Sequence, residues 1–158
     1  MKTNNYSIDL ISACEDLCIE DVKAAIEKGA DVNYIFDECS TFPMLACVEY
    51  QQNRDYKKII EIFSILLYNG ADINLQITDN ETTLMHSAWL LRSYEVVGFL
   101  LKNGANPNLL FEKETALDLT SGEISFTDTC LDEPDLVEEL EKIYELLVSY
   151  GAKHSIDL

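Results

Sequence analysis

The sequence predicts an all-α solenoid of helix–turn–helix units, and three observations predict it. The chain matches itself at four places: Gly29-Ala30-Asp31-Val32-Asn33, Gly70-Ala71-Asp72-Ile73-Asn74, Gly104-Ala105-Asn106-Pro107-Asn108 and Gly151-Ala152-Lys153. The glycines stand 41, 34 and 47 residues apart, within the range of ~20–50 residues at which self-similarity marks stacked repeats. Each glycine also follows a segment of helical apolar periodicity: DVKAAIEK, IFSILLYN, VVGFLLKN and IYELLVSY. Glycine stops a helix because it enters the left-handed region without a Cβ clash.

These matches divide the chain into units of about 1–36, 37–77, 78–111 and 112–158, read together as a single domain. The four periodic segments are the second helices of their units. Their three-and-four spacing predicts one continuous core of Val22, Ile26, Ile62, Ile65, Leu66, Val97, Leu100, Leu101, Leu146 and Leu147. Two insertions are expected between the helices of a unit. One runs from Glu49 to Asp55 in the second unit, and the other from Ser121 to Leu136 in the fourth. Pro134 then stands where a first helical turn tolerates it, with Asp135 favourably placed against the helix dipole.

Composition agrees with a packed domain. Of 158 residues, 47% are hydrophobic and 25% charged, too apolar for wholesale disorder. Charge is the unusual quantity: 11 Lys+Arg against 29 Asp+Glu leave a net of −18. Such a field repels nucleic-acid backbones and anionic lipid and speeds encounter with cationic partners. The expected partner is therefore a basic protein, with no nucleic acid and no membrane, and the chain a monomer or one half of a heterodimer. Solvation alone is the competing account of the acidity. Five cysteines form no C-x-x-C pair, and the N-terminal segment meets Asp9 before any apolar run develops. No signal peptide is expected, and free thiols in a reducing cytoplasm follow.

The repeated GADVN turn and the helix before it resemble the ankyrin-repeat family, whose unit of about 33 residues opens on a Thr-Pro-Leu-His signature. The signature is degraded here: the second unit reads Phe42-Pro43-Met44-Leu45, the third Thr82-Thr83-Leu84-Met85-His86, and the fourth Thr115-Ala116-Leu117-Asp118. No unit keeps the signature histidine, so the resemblance does not extend to its usual loop-bridging bonds. The resemblance implies hairpin-like turns between units and recognition of another protein through the concave face and turn tips. It places His86, Trp89 and Tyr50 on that face, with Arg92 beside Trp89. Tips of the family are polar, whereas these carry Tyr34-Ile35-Phe36 and Leu109-Leu110-Phe111. Tyr34, Phe36, Leu110 and Phe111 join the candidate contact residues, while Ile35 and Leu109 are expected beneath neighbouring loops. Aromatic residues are the usual anchors of protein interfaces.

The fourth unit supplies an electrostatic candidate. Between Lys113 and Lys142 there are ten carboxylates and no basic residue. Asp128, Asp132, Glu133 and Asp135 lie in the insertion, read as a loop that carries negative potential beyond the stack. The spacing of Asp128, Asp132 and Glu139 imitates a calcium loop, but Glu133 replaces its turn glycine and Cys130 is a poor ligand for a hard cation. Cys14 and Cys18, four apart, are read as buried thiols on one helical face. No catalytic residue, metal ligand or cofactor site is expected, since neither His86 nor His154 belongs to a nucleophile motif and no phosphate loop occurs.

The functional expectation is a non-enzymatic module that binds a basic protein. Small acidic ankyrin proteins resemble immunity proteins that neutralise toxins such as nucleases, and that is the narrowest form of the expectation. A regulatory adaptor or effector that docks another protein is the first alternative. A hydrolase using the fourth-unit insertion is the second.

Overall fold

The computed structural model describes residues 5–36, 41–49, 55–77, 81–131 and 133–158. Eight α-helices occur among them: α1 (Asn5–Glu15), α2 (Ile19–Glu27), α3 (Pro43–Ala46), α4 (Tyr56–Tyr68), α5 (Thr83–Trp89), α6 (Tyr94–Lys102), α7 (Ala116–Phe126) and α8 (Pro134–Ser149). They pair as α1/α2, α3/α4, α5/α6 and α7/α8. The first helices touch in the series α1, α3, α5, α7 and the second helices in the series α2, α4, α6, α8. Two parallel rows of helices result, the arrangement of a solenoid in which each unit meets only its neighbours.

Helix starts follow from short polar side chains. Asp55, Thr82 and Ser93 accept the amides of Lys58, Met85 and Val96. Thr115 and Asp118 form a reciprocal capping box at α7. Helix α8 opens on Pro134, with Asp135 in its first turn.

The GADVN turn is explained atom by atom. After α6, Gly104 adopts φ +95° and its amide donates to Leu101 O, while the Ala105 amide reaches back to Leu100 O at 3.0 Å. This is a Schellman motif, and the same pair of bonds closes α2, α4 and α8. A Cβ at Gly104 would touch nothing within 4 Å, so its backbone conformation, not space, demands glycine there. Asp31, Asp72 and Asn106 then accept the amides two residues ahead, forming Asx turns that orient Asn33, Asn74 and Asn108.

Those three asparagines tie the units together. Asn33 accepts the Asp72 amide at 2.7 Å and donates to Gly70 O at 3.0 Å. Asn74 does the same to Asn106 and Gly104, and Asn108 to Lys153 and Gly151. The corresponding amide of the first unit, Asp31, donates to the hydroxyl of fully buried Ser7 at 2.9 Å.

Seven of the ten expected core residues are buried, and Ile26, Ile65 and Leu146 are half-buried against the same core. Between Phe111 and Glu114 the chain makes a two-residue hairpin, with reciprocal bonds of 2.8 and 2.7 Å and both tip residues, Glu112 and Lys113, at positive φ. That is the mirror-image turn whose twist suits a hairpin. Phe36 and Thr41 form the equivalent bridge after the first unit.

One expectation is corrected. The fourth-unit insertion is not a loop: Ser121–Phe126 extends α7, and Thr127–Leu131 continues as a π-helical turn. Ser125 and Thr129 return their hydroxyls to carbonyls four residues back, and Thr127 is buried, so hydroxyl residues read as loop formers are accommodated within helix. The first insertion falls largely on 50–54, outside the described residues.

Candidate functional site

The first-helix row and the hairpin tips carry most of the expected contact residues. Trp89, the last residue of α5, is half-buried. Arg92, three residues on at φ +52°, donates its Nε to Trp89 O at 3.3 Å and its terminal nitrogen to Glu123 on α7. Trp89 and Arg92 are thus brought together, with the arginine fixed across two units. Tyr34, Phe36 and Phe111 are half-buried against the core, as are Ile35 and Leu109, while Leu110 is exposed. Tyr50 lies outside the described residues.

His86 requires correction. It was expected on an open face, but it is only 6% exposed. In the register set by the helix caps, Thr82, Thr115 and Phe42 are equivalent, so His86 aligns with Leu119 and Ala46. Its ring enters the seam between the second and third units. There its Nε2 lies 3.1 Å from Glu81 Oε2, and a Glu49 carboxylate oxygen stands within 4.8 Å of the ring and of Glu81. Burial pushes the Glu49 carboxyl up from its ordinary range. Glu81 and Glu15 add to the rise, against the Thr41 hydroxyl bond at 2.8 Å and the attraction of His86.

The acidic segment is less uniform than its sequence implies. Glu123 is engaged by Arg92, and Glu138 pairs with Lys142 at 2.7 Å on an exposed face. The Lys142 hydrogen bond lowers the Glu138 carboxyl, and the same contact raises the lysine. Asp118 accepts from the Thr115 amide, the Ser155 amide at 2.9 Å and His154 Nδ1 at 2.6 Å. Tyr144 meets the other ring nitrogen of His154 at 3.3 Å. Burial alone would raise Asp118, but these bonds overcome it and hold the carboxyl well below the usual range. Asp128, Glu133 and Asp135 remain exposed, and Asp128 and Glu133 border a shallow groove with Val137 and Glu141. Asp132 lies outside the described residues.

Sequence reading passed over several exposed apolar side chains. Leu90 follows Trp89, Tyr94 opens α6, and Phe126 and Leu131 project from the acidic segment itself. Leu90 and Tyr94 stand beside helical patterns, and Phe126 and Leu131 in a segment read as an acidic loop, so only their exposure reveals them. Cys14 and Cys18 belong to different elements, since α1 ends at Glu15 and Cys18 precedes α2. Cys14 instead meets Cys47, whose thiol is pushed up by burial and by that contact.

The family model for ankyrin repeats, in three copies, matches residues 10–111, more than half of the chain. The chain belongs to the ankyrin-repeat family. It is 27% identical over 128 residues, 75% of its own length, to the ankyrin repeat and KH domain-containing protein mask-1 of Caenorhabditis elegans, of which the match covers 4%. It is 34% identical over 84 residues, 52% of its length, to the putative ankyrin repeat protein FPV232 of fowlpox virus, of which the match covers 16%. The chain therefore spans a small fraction of these relatives. Proteins of this family act as protein-interaction modules. No described helix is long and apolar enough to cross a membrane.

Proposed function

We propose that this ankyrin-repeat chain is a non-catalytic module that binds a basic protein. The single observation that carries this reading is a net charge of −18 together with exposed Asp128, Glu133 and Asp135 beside exposed Phe126 and Leu131. Carboxylates speed encounter with a cationic surface, and apolar groups among them supply the desolvated contact that charge alone lacks. Trp89 with Arg92, and the tips at Tyr34, Phe36, Leu110 and Phe111, extend the surface along the first-helix side. In its narrowest form the module covers the cationic active site of a toxin such as a nuclease. A basic toxin encoded beside this chain, and neutralised by it on co-expression, would support that form over a general adaptor.

The test compares wild type with a variant carrying Asp128→Asn, Asp132→Asn, Glu133→Gln and Asp135→Asn, and with Trp89→Ala. Partner capture at low and high salt identifies the ligand, and stopped-flow association then measures it. Neutralisation should slow association and flatten its salt dependence, since screening shortens to about 8 Å near 0.15 M salt. Trp89→Ala should weaken affinity by about 2 kcal/mol or more with a smaller effect on stability. Matching on-rates and salt slopes for wild type and the neutralised variant would refute the basic-partner reading.

A further inference from the structure

Three side chains at the seam between the second and third units form a constellation apart from the acidic segment. Glu49 follows α3, Glu81 immediately precedes the Thr82 cap of α5, and His86 lies within α5. One ligand atom from each lies within 4.8 Å of the other two. Both carboxylates are half-buried and His86 is 94% buried, by its 6% exposure.

The imidazole is the informative member. Although Nε2 is 3.1 Å from Glu81 Oε2, neither ring nitrogen has a hydrogen-bond partner of acceptable geometry among the described residues. Buried polar atoms are almost always satisfied, so an orphaned imidazole facing two carboxylates calls for a partner that supplies positive charge and accepts a nitrogen lone pair.

We infer that Glu49, Glu81 and His86 form a binding site for a divalent transition-metal ion of the zinc class. The imidazole nitrogen is the borderline ligand that favours such ions beside two hard carboxylates, whereas calcium and magnesium prefer all-oxygen sets. Bonds of about 2.0–2.1 Å around a tetrahedral ion separate ligand atoms by roughly 3.3 Å. The Glu81–His86 pair, at 3.1 Å, is already near that spacing, and the Glu49 carboxylate stands within 4.8 Å of both. The Thr41 hydroxyl that binds Glu49 Oε2 at 2.8 Å would orient that ligand from outside the coordination sphere. Because the ligands come from two units, the ion would clamp the middle of the stack.

Cobalt(II) and zinc(II), added to the purified metal-free chain, are the probes. The site should take one equivalent of cobalt with visible d–d absorption that zinc displaces. Zinc at a hundredfold excess over its Kd should raise Tm by about 5–10 °C. Glu81→Gln and Glu49→Gln, which keep side-chain shape and do not depend on refilling a buried ring position, should each weaken cobalt binding at least tenfold. Cys130→Ser, which removes an exposed thiol, should leave it unchanged. Absence of a saturable cobalt signal would overturn the assignment. So would a signal that survives Glu81→Gln or disappears with Cys130→Ser.

Discussion

Replacing Asn74 by alanine removes both bonds that tie the second unit's turn to the third: the acceptor of the Asn106 amide at 2.7 Å and the donor to Gly104 O at 3.3 Å. A protein hydrogen bond contributes about 0.5–1.5 kcal/mol net. Both freed groups lie on the exposed side of the turn, where water replaces part of the loss, so the pair is worth about 1–2 kcal/mol. For a chain of this size that corresponds to a fall in Tm of about 2–8 °C. Asn74→Asp should cost a similar amount, because it keeps an acceptor for the Asn106 amide but sets a carboxylate against the Gly104 carbonyl. Urea unfolding followed by circular dichroism measures the stability, and amide hydrogen exchange locates the effect. Protection should fall first at Asn106, with Asp72 and Lys153 less affected, because Asn33 and Asn108 hold those amides. An unfolding free energy within about 0.3 kcal/mol of wild type, with Asn106 exchange unchanged, would refute the view that the ladder couples the units.

Leu101→Ala, at a position 4% exposed in α6, should destabilise the chain by about 2–5 kcal/mol in the same unfolding assay. Asp118→Asn tests the closure of the fourth unit by pH. The Asp118 carboxyl is held below the unfolded value of about 3.9, so its contribution is present above that pH and lost as pH falls through the folded value. The variant should therefore be less stable than wild type at pH 7, and the gap should narrow below about pH 4. A gap independent of pH would show that the charge on Asp118 plays no part.

Periodicity and turn chemistry are local, and so they were legible in the sequence. The interval between glycines, the apolar face of each second helix, and the polar residue before each helix follow from backbone geometry within a few residues. The GADVN motif could be recognised as a helix stop before any coordinates. Even the proline start of α8 needed only the rule that a first turn lacks amide partners. The fourth unit shows where locality fails. Serines and threonines between 121 and 131 read as loop, yet packing of α7 against α5 and α8, with Thr127 buried, draws them into helix.

The site depended on distance between units, which no spacing along the chain encodes. Glu81 and His86 stand five residues apart in one unit, but Glu49 looks unrelated to them in sequence. They meet because stacking brings the end of one first helix beside the start of the next. His86 was placed on an open face by its position within one unit, and the neighbouring unit buried it. Arg92 read as an interface cation, and its partner Glu123 lies on the following unit. What the sequence determined by itself was the repeat, its helices and its charge, because each is a property of a single unit or of composition. The tertiary structure decided which polar groups face one another, because in a solenoid those contacts arise only where two units touch.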